Sequence, residues 1–120
     1  MRTLLTLIAF LFSSLFAVAD VNMAQLVGRW RYSDETFSSE HKFNADGTYT
    51  GSVGQKGKIV WENAGVWSLA DNKIHYELTR SSLERIPVGT KDQDTLIEIT
   101  RDWYIIETQK GIKRKYVRIP

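Results

Sequence analysis

The residues best suited to chemistry at neutral pH are two histidines, because histidine alone titrates there unperturbed. His41 shares a strand face with Phe43, which points it inward as a hydrogen-bonded core residue. His75 stands between Lys73 and Glu77 on an outward face and reads as solvated. No His-x-His or His-Glu-x-x-His spacing is present and the chain has no cysteine, so no metal site is expected. Nucleophilic catalysis needs a nucleophile, a base and an orienting group held together. Serines occur, but none in a Gly-x-Ser-x-Gly elbow. No spacing points to a pair of carboxylates for acid–base work. The run from Gly51 to Lys58 superficially looks like a phosphate loop. It carries one residue too many between Gly51 and Gly57, and Ile59 stands where Ser or Thr would meet magnesium. It reads as a hairpin tip. None of these features forms a familiar catalytic or cofactor motif, and no enzymatic activity is expected.

Binding chemistry is better represented. Tyr49, Trp61, Trp67, Tyr76 and Tyr104 are the candidates to line a ligand site, since aromatic rings supply apolar area and Tyr or Trp adds a polar handle. The competing role for each is core packing. Lys110, Lys113, Arg114, Lys115 and Arg118 cluster near the end of the sequence. On a strand, Lys113 and Lys115 face away from Arg114 and Arg118, so the charge divides between two faces. It reads as a solvated edge that discourages pairing between molecules. A contact with anionic lipid or polysaccharide is the functional alternative.

The elements that must position these residues are strands. Residues 20–27 are long enough for one helical turn. From Gly28 onward the helical period gives way to short alternating runs broken by turn residues. Trp30 and Tyr32 share a face. Asn44-Ala45-Asp46-Gly47 is a hairpin turn, with glycine supplying the positive φ. Tyr49 and Val53 face one way, and Ile59 and Trp61 point inward, followed by Trp67 and Leu69. The runs at 58–62 and 65–69 read as one strand bent at Asn63-Ala64-Gly65. After Asp71-Asn72, Ile74, Tyr76 and Leu78 face in. Residues 79–93, with Pro87 and Gly89, form the longest irregular stretch. A strand over 94–100 presents Ile97 and Ile99 inward. Two more follow, at 103–108 and 112–119. The fold class expected is all-β: an up-and-down antiparallel β-barrel of about eight strands, with a two-sheet sandwich as the alternative.

Compartment is read from the N-terminus. Arg2 precedes an apolar stretch from Leu4, and Ala17-Val18-Ala19 closes it with small residues at the outer positions. That is the pattern of a cleavable secretory signal over residues 1–19. The run is shorter than the roughly 20 residues of a membrane span and is interrupted by Ser13 and Ser14. Asp20, where a lipid-bearing cysteine would stand, excludes a lipoprotein anchor. The mature chain, residues 20–120, is long enough for one domain. No Asn is followed by x-Ser/Thr, which favours a periplasmic or secreted bacterial protein. The formal charge of +2 includes Arg2, so the mature chain is near neutral and a nucleic-acid partner is not expected.

Three segments carry a family likeness: Leu26-Val27-Gly28-Arg29-Trp30, then Phe43-Asn44-Ala45-Asp46-Gly47-Thr48-Tyr49, then Gly65-Val66-Trp67-Ser68-Leu69. Together they resemble the small bacterial lipocalin-like domains of the calycin group. The resemblance implies that Gly28 and Trp30 close one end of a barrel, with Arg114 or Arg118 stacked on the tryptophan. With no catalytic motif in the chain, the function expected is that of a non-enzymatic protein holding a small apolar or amphipathic ligand in such a barrel. The alternative is an interaction module, an inhibitor or accessory subunit with a filled core. Its protein partner would meet the 79–93 stretch through Leu83, Ile86 and Val88.

Overall fold

The computed structural model describes residues 22–120. The leader expected over 1–19, with its cleavage site, lies outside the described residues. A single helical turn, α1 (Met23–Leu26), precedes eight strands: β1 (Gly28–Ser33), β2 (Ser38–Phe43), β3 (Thr48–Gln55), β4 (Lys58–Ala70), β5 (Lys73–Ser81), β6 (Lys91–Ile99), β7 (Trp103–Thr108) and β8 (Lys113–Ile119). Each pairs antiparallel with the next, and β8 pairs back onto β1 through Trp30 opposite Arg118. The sheet is therefore a closed up-and-down barrel without a free edge, and the sandwich alternative falls.

Turn chemistry explains the connections. Asp71 and Asn72 both adopt left-handed backbone, with φ of 55° and 60°, as a two-residue hairpin turn demands. Asp34 accepts hydrogen bonds from the amides of Thr36 and Phe37 through Oδ1 (2.7 and 3.0 Å), folding the β1–β2 loop on itself.

The core occupies one end of the barrel. Leu26, Trp30, Phe43, Ile74, Leu96, Tyr104 and Ile106 are essentially sealed from solvent there. Leu26 comes from α1, whose Gln25 side chain reaches back to the Asn22 amide at 3.0 Å. The short helix is thus a plug laid across the barrel's end.

Two alternations depart from the sequence expectation, each at an extra residue in one strand. Ile59 was expected inward and is 63% exposed. Val53 pairs with Trp61 and Gly54 with Ile59, so Val60 is the surplus residue, and the strand reverses its faces there. Trp61 points inward and Ile59 out. Ile97 was likewise expected inward but is 38% exposed. It is surplus between Leu96, opposite Ile106, and Glu98, opposite Ile105. Leu96 takes the core position, and Ile99 regains the inner face opposite Tyr104. The residues at 58–70 form one continuous strand. The long irregular stretch shrinks to residues 82–90, because β5 runs on to Ser81 and β6 begins at Lys91.

Candidate functional site

The two ends of the barrel differ in kind. At the end covered by α1, the Arg118 guanidinium lies 4.1 Å from the centre of the Trp30 ring. The same guanidinium donates to the backbone carbonyls of Arg101 (2.6 Å), Val27 (2.8 Å) and Gln25 (3.1 Å). It ties α1, β1 and the β6–β7 turn together. Gly28, at φ 133°, leaves the space this guanidinium fills; a Cβ there would collide with Arg118 Nη1. Trp30 Nε1 donates to the Leu26 carbonyl (2.8 Å). Arg114, the other candidate for stacking on Trp30, lies elsewhere, with its guanidinium 5.6 Å from the Tyr32 ring centre and 5.2 Å from that of Phe37.

The opposite end holds a cavity of about 390 Å³, a size suited to a small molecule. Tyr49 and Gly51 of β3, Trp61 and Asn63 of β4, Tyr76 of β5, Asp92 and Asp94 of β6, and Arg114 and Tyr116 of β8 supply much of its wall, with Ile86 and Thr90 from the long loop at the mouth. Trp61 Nε1 donates to Ser81 Oγ at 2.9 Å, which locks the indole against the wall. Of the aromatic residues singled out from sequence, Tyr49, Trp61 and Tyr76 meet here. Trp67 and Tyr104 do not. Trp67 packs on Phe43, with ring centres 4.5 Å apart, and donates to the Asn44 carbonyl. Tyr104 is fully buried edge-on to Trp30 at 4.7 Å.

His41 sits between these regions. Its Nε2 lies 2.6 Å from the Tyr104 hydroxyl, and Phe43 and Tyr116 flank the ring at 4.6 and 4.9 Å. Burial depresses its pKa to about 3, so the imidazole is neutral at physiological pH and serves as a hydrogen-bond partner. His75 is outside, facing away from the cavity.

Asp94 is one of the lining residues that sequence reasoning missed. Reading Ile97 as inward put Asp94 on the outer face; the surplus residue in β6 reverses that, and Asp94 shares its face with Leu96. Burial raises its carboxyl pKa to about 6, with Asp92 adding repulsion, while the Tyr76 side chain and the Arg114 charge pull the other way. Burial also pushes the Tyr49 and Tyr116 hydroxyls up to about 12 and those of Tyr76 and Tyr104 well above their ordinary value. All four are neutral donors at pH 7.

The Asp94 shift has a measurable consequence for stability. An acid whose pKa is higher in the folded state than in the unfolded state favours folding most when protonated in both. That contribution is full below pH 4 and is lost as pH rises through about 6. Asp94→Asn should therefore match the wild type near pH 4 and exceed its stability at pH 7.5. The gain should be about 1–2 kcal/mol, reduced from the full shift because the carboxylate keeps contact with solvent through the mouth. Urea unfolding at pH 4, 5.5 and 7.5 measures it; equal stabilities at all three would refute the placement of Asp94.

Among the described residues, no group of three or more His, Asp or Glu could hold a metal ion, and no helix is long and apolar enough to cross a membrane. What the arrangement offers is a receptacle with aromatic walls, neutral hydroxyls and a few charges. Fold and site together define a closed antiparallel barrel, plugged at one end and hollow at the other. No protein-family model matches the chain, and no curated protein matches its sequence.

Proposed function

We propose that this protein is a non-enzymatic, exported binding protein of the lipocalin-like kind, holding a small amphipathic ligand in the hollow end of its barrel. The observation that carries the reading is the cavity of about 390 Å³, walled by Tyr49, Trp61 and Tyr76 and backed by the plugged end. The Gly28–Trp30–Arg118 closure supports the family likeness, since a glycine, a tryptophan and a C-terminal arginine meet at one end as in lipocalins. The leader at residues 1–19 supports export to a periplasm or the cell exterior. The wall includes Asp94, Arg114 and several hydroxyls, which favours an amphipathic ligand over a wholly apolar one.

A second reading rests on the 82–90 loop, whose Val88 is 63% exposed. It makes the protein an interaction module that presents this loop to a protein partner.

Native mass spectrometry of the mature chain, recovered from the compartment to which it is exported, separates the two. The cavity reading expects a small adduct that survives gentle ionisation, leaves on activation, and is lost from a Trp61→Ala/Tyr76→Ala double variant. A bare chain accompanied by a stoichiometric protein companion would favour the loop. An adduct unaffected by the double variant would sink the cavity reading.

A further inference from the structure

The charges around the cavity are unequally committed. The Arg114 guanidinium lies over the Tyr32 and Phe37 rings. Glu40 reaches the rim, but its carboxylate is held on the outer face by Arg31, with Arg29 at 3.7 Å. Asp92 accepts from Gln109 Nε2 at 2.8 Å. Among the described residues, neither Asp92 nor Asp94 has a cation within ion-pair distance. Asp94 projects deeper into the barrel, opposite Thr108 and beside Ile74 in the strand register. The rings of Tyr49 and Tyr76, 5.6 Å apart and nearly perpendicular, stand on the same cavity wall, with the Trp61 indole further along it.

We infer that the cavity selects small organic cations: amphipathic amines whose ammonium group sits among the Tyr49, Trp61 and Tyr76 rings against the Asp94 carboxylate. Aromatic faces attract ammonium groups through their quadrupoles, most strongly where water is excluded. A half-buried carboxylate such as that of Asp94 gains more from a cation than a fully exposed one does. Arg114 does not cancel this preference, because two carboxylates face the cavity against one guanidinium and that guanidinium is already engaged. Burial and the nearby Asp92 raise the Asp94 pKa, as fits a carboxylate with no cation at ion-pair distance among the described residues. A fully apolar ligand would leave it so.

The inference rests on the cavity-binding reading, and its test separates the two. Octylammonium, 1-octanol and octanoate share a chain and differ only in the head group. They are titrated into the mature protein at pH 7.5, with tryptophan fluorescence and calorimetry as readouts. Octylammonium should bind about tenfold more tightly than 1-octanol, and octanoate most weakly. Asp94→Asn should narrow the octylammonium-to-octanol ratio to about threefold or less, and Arg114→Gln should widen it. Octanoate binding as tightly as octylammonium, or a ratio unmoved by Asp94→Asn, would overturn the cation preference while leaving the binding role intact. Failure of all three probes to bind would remove the binding role and the preference together. The wild-type series alone decides the question should a variant not fold.

Discussion

Trp30→Ala should destabilise the protein by about 4 kcal/mol, as expected for truncating a fully buried tryptophan. Trp30 is 0% exposed, and three separate interactions converge on it. Its ring meets Tyr104 edge-on at 4.7 Å. The Arg118 guanidinium covers one face at 4.1 Å. Its indole N–H satisfies the Leu26 carbonyl, which is otherwise left without that donor inside the plug. In a domain of this size such a loss lowers the melting temperature by roughly 20 °C, against a total stability of order 5–15 kcal/mol. Trp30→Phe keeps a ring under Arg118 and loses only the N–H and part of the volume, so it should cost less than half as much. Thermal and urea unfolding of both variants measure this. If Trp30→Ala cost no more than Trp30→Phe, the plug would not depend on the indole.

The second large effect concerns a residue with no side chain. Gly65 of β4 pairs with Tyr49 on one side and Leu78 on the other, next to the point where Thr79 is surplus in β5. The surplus residue brings the β5 backbone close, so that a Cβ on Gly65 would collide with the Glu77 carbonyl oxygen and stand 2.8 Å from the Tyr49 ring. A backbone carbonyl in a ladder cannot rotate aside. Gly65→Ala should therefore cost about 3 kcal/mol through displaced strands and a shifted Tyr49. Gly51→Ala is the informative contrast. Its Cβ would meet Asn63 Oδ1 at 2.9 Å, the end of a side chain that can turn. It should cost under about 1 kcal/mol, because the lower entropy of the unfolded chain offsets part of the strain. Comparable losses from the two substitutions would contradict the close approach of β5 at Gly65. Since Tyr49 lines the cavity, Gly65→Ala should reshape the cavity as well as weaken folding, and Gly51→Ala offers a check on cavity shape at small cost to the fold.

Much of the architecture was legible in the chain. Turn residues at Asn44–Gly47, Asp71-Asn72 and Lys110-Gly111 mark where strands end, because few other residues tolerate those backbone conformations. Where no surplus residue intervenes, alternation assigns faces correctly, as for Ile74, Tyr76 and Leu78. The same rule puts Trp30 and Tyr32 together, and Arg114 with Arg118 opposite Lys113 and Lys115. That an arginine near the end of the sequence meets Gly28 and Trp30 came from the family likeness, which left Arg114 and Arg118 both open; Arg118 is the one that stacks.

Tertiary structure decided the rest. The inner face of a strand follows a period of two, so one surplus residue exchanges inside and outside for everything beyond it. Val60 and Ile97 carry no local mark of being surplus; they are so only because β3 and β7 pair with the residues on either side of them. That register exposed Ile59 and turned Asp94 into the barrel. The division of labour among the aromatics had the same origin. Tyr49, Trp61 and Tyr76 border empty space, while Trp67 and Tyr104 fill the plugged end. The distinction depends on distance from α1 and Arg118, brought close by the closure of β8 on β1 across the length of the domain. Composition and alternation thus determined a barrel of aromatic-rich strands. Which end is solid, which is hollow and which charges face the hollow were decided by register and closure, properties that no single strand's sequence contains.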